Sequence, residues 1–204
     1  MFQESPTLFW TVYGLMTGDG DRLLAPVNMS LLSLFAVHYI NRALIYPFRL
    51  KSSNGTPLTI VVLAGLFCSV NGYMQAMQLT EIADYETEYL TSPQFVFGVA
   101  MFCCGMYINI QADGILLNLR HPGQTEYSIP LRGMFRYVSG ANFLGEMVEW
   151  IGFAIASNSL PATAFAVYTI CNIFPRALAH HKWYQSKFGI KYPKRRKAVI
   201  PFVW

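Results

Sequence analysis

Hydrophobic and polar positions alternate along this chain on the scale of whole membrane spans. Five apolar runs, at 26 to 48, 57 to 79, 93 to 113, 138 to 156 and 159 to 175, approach the roughly 20 residues that carry a helix across a bilayer. A sixth, weaker run from Thr7 to Met16 is too short to span alone and is expected as a half-helix or the end of a longer one. No internal repeat or low-complexity linker divides the sequence. The expected fold is all-α: a polytopic transmembrane helix bundle of five full spans plus a short N-terminal helical segment, forming one domain over residues 1–204.

Composition agrees with that pattern. The chain is 53% hydrophobic and 13% charged, against about 25% charged in a typical soluble domain, and its mean hydropathy is +0.32. The net charge of +4 does not read as a nucleic-acid footprint, because 8 of the 15 Lys and Arg follow residue 175, after the last apolar run. The connecting segments alternate in sign. Arg49 and Lys51 mark one loop; Glu81, Asp84, Glu86 and Glu88 mark the next, without Lys or Arg; Arg120, Arg132 and Arg136 mark a third. The positive-inside rule then places the 49–56 loop, the 114–137 segment and the C-terminus in the cytosol, with the acidic loop opposite. The start, Met1-Phe2-Gln3-Glu4, lacks a basic n-region and a clear cleavage site, so no removable signal peptide is expected.

Against this background the polar residues inside the runs stand out. Asn142, Glu146 and Glu149 lie four and then three residues apart, so a helix presents them on one face. Carboxylates at membrane depth are costly, which makes them functional-site candidates. Asn109 and Asp113 are i, i+4 neighbours, followed by Arg120-His121-Pro122-Gly123, where the helix is expected to turn. Arg120, Arg132, Arg136, Arg176, Arg195 and Arg196 gather on the same expected side. Guanidinium groups beside carboxylates suit a ligand carrying phosphates and hydroxyls, although positive-inside bias alone also accounts for the arginines. His38, Tyr39 and Arg42 cluster in the first long run; Tyr39 has a hydroxyl to offer a carbonyl, and Arg42 is suited to a buried carboxylate or a phosphate. Gln3 and Glu4 read, on position alone, as an exposed end.

Other chemistries are absent from the pattern. Cys68, Cys103, Cys104 and Cys171 all lie in apolar runs with no CxxC spacing, so they read as packing residues and no metal is expected. No GxGxxG, P-loop or GxSxG occurs; a dinucleotide, if bound, is bound without a Rossmann fold.

Taken together, the motifs Val37-His38-Tyr39-Ile40-Asn41-Arg42, Asn71-Gly72, Gly105-Met106-Tyr107-Ile108-Asn109-Ile110 with Asp113, Leu119-Arg120-His121-Pro122-Gly123, Ile129-Pro130, the stretch Tyr137 to Ala156, His180-His181-Lys182-Trp183-Tyr184, and Tyr192-Pro193-Lys194 through Ile200-Pro201-Phe202 closely resemble steroid 5-alpha-reductases, in register over nearly the whole chain. The resemblance implies an NADPH-dependent, seven-helix enzyme of the endoplasmic reticulum membrane that reduces the 4,5 double bond of 3-oxo-4-ene steroids such as testosterone and progesterone. It implies that Glu4 and Tyr39 hold the steroid 3-keto oxygen, with Gln3 at the boundary of steroid and cofactor, which overturns the reading of Gln3 and Glu4 as an exposed end. It also implies NADPH contacts at Asn109, Asp113, Arg120, Tyr127, Asn142, Glu146, Arg176, His180, Tyr184 and Arg196. Two departures stand out. The family has a further helix ahead of the Gln-Glu pair with which this sequence begins, so a missing upstream segment or a natural short form is expected. The family's basic residue after Tyr127 is Ser128 here, which removes one implied phosphate contact.

The expected chemistry is hydride transfer to the beta carbon of the enone, then protonation of the alpha carbon, with Tyr39 and a protonated Glu4 meeting the charge that grows on the 3-keto oxygen. Glu146 and Asn142 are expected to grip the nicotinamide half, and Arg120, Arg176 and Arg196 the phosphates. The expected partners are a steroid drawn from the bilayer and membrane lipid, with no nucleic acid. Three alternatives stay open: an enoyl-CoA or polyprenoid enone reductase, a catalytically inactive short form, and a channel in which Glu146 and Glu149 line an ion path.

Overall fold

In the computed structural model, residues 2–50, 55–119 and 127–203 are described. Among them the chain is all-α, and its one bridge of β type is an isolated parallel pair between Val138 and Lys197. The helices are α1 (Ser5–Thr17), α2 (Gly20–Leu24), α3 (Pro26–Tyr39), α4 (Tyr46–Arg49), α5 (Leu58–Met77), α6 (Pro93–Leu117), α7 (Ala141–Ser157) and α8 (Leu160–Phe188). Three segments of the described residues, Leu58–Ile82, Pro93–Leu117 and Leu160–Lys191, are long and apolar enough to cross a membrane.

Every expected apolar run is a helix, but the two that miss this threshold do so for visible reasons. The first is broken by a π-helical turn, Ile40–Ile45, between α3 and α4. Pro47 follows directly; it has no N–H to offer, and its ring crowds the carbonyl four residues back. The Tyr46 N–H bonds instead to the Asn41 carbonyl, and the turn widens around Arg42. The fourth run, α7, has 17 residues and carries Glu146 and Glu149. By contrast, α8 continues well past the expected end at residue 175, with Pro175 inside it, and stops at Gly189, whose φ of 51° suits glycine. At 1.5 Å per residue its 29 residues measure about 44 Å, longer than the roughly 30 Å hydrocarbon core.

The chain forms two compact units. One comprises residues 1–96 with 156–162, the other 97–155 with 163–204. In the first, α1 and α5 run parallel and nearly touch: a Cβ placed on Gly72 would stand 2.8 Å from Thr7 Cα. Small residues allow such approaches where no water drives helices together. Thr7 Oγ1 donates to the Cys68 carbonyl at 3.1 Å and Trp10 Nε1 to Ser69 Oγ at 3.0 Å, so polar groups at membrane depth are matched locally. Asn28 of α3 ties in the far end of α5 by donating to the Leu79 and Ala83 carbonyls at 2.8 and 2.9 Å.

In the second unit α6 and α7 are antiparallel and in backbone contact along a line of glycines. Cβ atoms on Gly105 and Gly145 would each stand 2.6 to 2.7 Å from the other residue's carbonyl oxygen, and one on Gly152 would stand 2.7 Å from the Gly98 carbonyl. Phe102, Trp150 and Phe153 fill the core beside this seam, with Phe165 against Trp150 at 4.5 Å. A second cluster, Met147, Ile173, Ala177 and Val199, ties α7, α8 and the C-terminal segment together.

Candidate functional site

The first unit presents the residues expected to face a carbonyl. Gln3 and Glu4 lie in a 3-10 turn, Phe2–Glu4, ahead of α1, and both are half-buried. Glu4 Oε2 stands 3.5 Å from Arg42 Nε, with about a fifth of each side chain exposed. Arg42 thus finds the carboxylate that its depth calls for, and the widened turn at Ile40–Ile45 carries it there. Its guanidinium also lies over the Tyr46 ring at 5.2 Å. Tyr39, three residues before Arg42 and on the same side of the helix, is 4% exposed. Its ring is fixed between Phe35 at 4.9 Å and His38 at 5.0 Å.

The second unit gathers the residues expected to hold a cofactor. Asn109 and Asp113 are both buried on α6, and Asn109 Nδ2 donates to the Asn142 carbonyl in the first turn of α7 at 3.0 Å. The glycine seam makes this possible: Gly145 lies against the Asn109 backbone and Gly105 against the Glu149 backbone, so each helix seats a polar residue of the other. Asn142 and Glu146 remain half-buried, whereas Glu149 is fully buried. The two carboxylates of α7 therefore differ: Glu146 stays partly exposed, and Glu149 belongs to the helix interface.

Arg176, His180 and Tyr184 recur every fourth residue on α8 and form a stripe. Arg176 and His180 are exposed, with the His180 ring edge-on to Phe143 at 5.3 Å. Tyr184 stacks on Tyr192 at 5.6 Å and on Phe188 at 5.9 Å. Tyr127 is half-exposed and meets Trp183 at 4.9 Å. Arg120 lies outside the described residues.

Arg196 differs from the rest of the basic group. Arg132, Arg136, Arg176 and Arg195 are exposed, as charge that sets topology would be. Arg196 is 4% exposed, its Nη2 donates to the Pro130 carbonyl at 2.9 Å, and its guanidinium lies over the Tyr192 ring at 5.2 Å. Its Nε and Nη1 have no hydrogen-bond partner among the described residues. A buried guanidinium with open donors calls for an anion, so this environment fits a phosphate-bearing cofactor.

The seam glycines, Ser139, His181 and Tyr192 were not singled out for a role by sequence. Glycines seven residues apart on both helices were a readable signal for the seam; nothing local marks the other three. A cavity of about 580 Å³ at the C-terminal end of α6 is lined, among the described residues, by Gln111, Ile115, Asn118, Ile129, Leu131 and Arg132, none of them assigned to steroid or cofactor.

Comparison with known proteins is consistent along the chain. The family model described as 3-oxo-5-alpha-steroid 4-dehydrogenase matches residues 54–204. The chain is 46% identical to "3-oxo-5-alpha-steroid 4-dehydrogenase 1" of Mus musculus over 201 residues, 98% of this chain and 78% of that protein. It is 43% identical to "Steroid 5-alpha-reductase DET2" of Solanum lycopersicum over 206 residues, 100% of this chain and 79% of that protein. It is 44% identical to "3-oxo-5-alpha-steroid 4-dehydrogenase 2" of Sus scrofa over 204 residues, 99% of this chain and 78% of that protein. The chain therefore belongs to the 3-oxo-5-alpha-steroid 4-dehydrogenase family of membrane-embedded oxidoreductases.

Proposed function

We propose that this protein reduces the 4,5 double bond of 3-oxo-4-ene steroids, such as testosterone or progesterone, to the 5-alpha-dihydro products with NADPH as reductant. We place it as a single multi-pass domain in the endoplasmic reticulum membrane with its C-terminus cytosolic. The observation that carries the reading is the 46% identity to a 3-oxo-5-alpha-steroid 4-dehydrogenase over 98% of the chain. Two local features support it: an arginine with buried donors open among the described residues, and a carboxylate paired with an arginine three residues after a buried tyrosine.

When bound, NADPH supplies the hydride that adds to the beta carbon of the enone. The protein's own residues supply position and field. Hydride addition moves an electron pair onto the 3-oxo oxygen, and groups that meet it there stabilise the transition state more than the ground state. Tyr39 donates its hydroxyl hydrogen to that oxygen; its ring, packed between Phe35 and His38, is set in place before the steroid enters. Glu4 is the second group that meets that oxygen, giving up its contact with Arg42, and solvent water supplies the proton that goes to the alpha carbon once the hydride has been added. Asn142 and Glu146 would hold the nicotinamide half, and Gln3, next to Glu4 in the Phe2–Glu4 turn, is assigned to the cofactor by the family resemblance. Asn109, Asp113, Tyr127, His180 and Tyr184 would add further contacts to the cofactor, while Arg120, Arg176 and Arg196 would take the phosphates. The substrate arrives from the bilayer, into which a flat apolar steroid partitions.

The test is NADPH-dependent turnover of testosterone and progesterone in microsomes expressing this chain, beside an enoyl-CoA and a polyprenoid enone. The 5-alpha-dihydro steroid is the expected product. Turnover of the polyprenoid or CoA substrate alone would replace the substrate class, and unchanged steroid turnover in both Tyr39→Phe and Glu4→Gln would remove the carbonyl assignment.

A further inference from the structure

The environment of Arg196 is held by a polar network in which Ser139 is the node. Ser139 Oγ lies 3.2 Å from the Lys197 carbonyl, 2.6 Å from His181 Nδ1, and within hydrogen-bond reach of the Tyr192 hydroxyl. The chemistry of these groups fixes the directions. A carbonyl only accepts, so the single Ser139 hydroxyl hydrogen goes to Lys197. Tyr192 and His181 Nδ1–H must then both donate to the two remaining sites on Ser139 Oγ. That assigns His181 its Nδ1–H tautomer and leaves Nε2 as an acceptor, and Gln185 Nε2 donates to it at 2.8 Å. The backbone reinforces the arrangement. Ser139 N–H and Gly140 N–H donate to the Lys197 and Ala198 carbonyls at 2.9 Å each, and Lys197 N–H returns a bond to the Tyr137 carbonyl at 2.9 Å.

What this network holds is the Tyr192 ring. Tyr192 is 4% exposed, its hydroxyl is fixed by Ser139, one face is stacked on Tyr184, and Arg196 lies over it at 5.2 Å. The guanidinium is thus supported by an aromatic face and one carbonyl, an arrangement that neutralises none of its charge and leaves Nε and Nη1 open among the described residues. Ordinary packing would not require the hydroxyl of Tyr192, since a phenylalanine fills the same space. The hydroxyl and its chain of partners fix the ring's angle, and with it the direction of the open guanidinium edge.

We propose that Ser139, Tyr192 and His181 are positioning residues: through the Tyr192 ring they aim the open edge of Arg196 at a phosphate group of the cofactor. The inference rests on the NADPH reading above and deepens it. It sets no role for these residues in hydride transfer, so their loss weakens cofactor binding and leaves the chemical step of the loaded enzyme nearly unchanged.

The experiment is a fluorescence titration of NADPH against the full chain purified in detergent, with melting temperatures alongside, for wild type, Ser139→Ala, Ser139→Thr, Tyr192→Phe, Arg196→Ala and the double variant Tyr192→Phe with Arg196→Ala. The expected result is about tenfold weaker binding in Ser139→Ala and Tyr192→Phe, recovery in Ser139→Thr, and a double variant no weaker than Arg196→Ala alone. Steady-state kinetics should show the loss in KM for NADPH and not in kcat. If wild type binds NADPH and Arg196→Ala does not, while Ser139→Ala and Tyr192→Phe bind as wild type does, the positioning role is wrong and the cofactor reading stands. If Tyr192→Phe and Arg196→Ala weaken binding additively, Tyr192 does not act through Arg196 and the inference also falls. Failure of wild type to bind NADPH would overturn the cofactor reading and this inference with it.

Discussion

Arg42 and Arg196 pose the same problem and meet it differently. Each guanidinium lies over a tyrosine ring at 5.2 Å. Arg42 has Glu4 at 3.5 Å, so its charge is balanced within the fold. Arg196 is more deeply buried, with a carbonyl at 2.9 Å and two nitrogen donors open among the described residues. A buried guanidinium whose donors are unmatched among the described residues is costly until an anion meets it. The first unit therefore carries a paired arginine and the second, among the described residues, an arginine with two open donors; under the proposed function a substrate oxygen would disturb the first and a cofactor phosphate would meet the second.

Replacement of Arg196 is the strongest way to break the contrast. Arg196→Ala should weaken NADPH binding about a hundredfold, in the range of removing one partner of a buried charged contact, while Arg196→Lys, which keeps the charge but not the fork of donors, should recover part of it. Direct titration checks both. Next in size are Tyr39→Phe and Glu4→Gln, each expected to lower steroid turnover by about 10²-fold, as loss of one donor to a developing oxyanion does, with NADPH affinity unchanged. An equal effect on cofactor affinity would mean that the division of labour is wrong.

A third test concerns the frameworks behind the two sites. The α6–α7 seam has no room for side chains at Gly145, so Gly145→Ala should destabilise by about 1–3 kcal/mol, the cost of overpacking. At Gly65, in the first unit, the nearest atom to an added Cβ is 3.9 Å away, and Gly65→Ala should lie within about 0.5 kcal/mol of wild type. Thermal melts in detergent would show whether that asymmetry is real. A further effect, about as small as the lower end of that at Gly145, lies outside the membrane spans. Tyr85 donates to the Ser157 carbonyl, and burial, aided by Tyr89, pushes its hydroxyl up to about 12 from 10.0. Because the folded value is the higher one, this contribution to stability is complete below pH 10 and fades as pH rises toward 12. Tyr85→Phe should cost about 1 kcal/mol and flatten that part of the stability profile.

How much of this the sequence could reveal depends on the range of the interaction that decides it. The boundaries of α5 and α6 follow local hydropathy, and both lie close to the expected runs. The continuation of α8 to Phe188 was not legible, because beyond residue 175 the helix carries basic and polar side chains and hydropathy no longer registers it. That Arg42 needs a carboxylate or a phosphate was readable from its position in an apolar run, but Glu4 as the partner is a tertiary fact. Arg195 and Arg196 show the limit best: adjacent in one basic run, they are indistinguishable by composition, and only the return of the C-terminal segment onto Ser139 and Gly140 buries one and leaves the other exposed.

The most direct test of the contrast is a single NADPH titration on wild type, Arg42→Ala and Arg196→Ala, each verified as folded by its melt. Wild-type affinity retained in Arg42→Ala and lost about a hundredfold in Arg196→Ala is the predicted result. Equal binding by Arg196→Ala and wild type would contradict it, because the open buried guanidinium would then have no part in holding the cofactor.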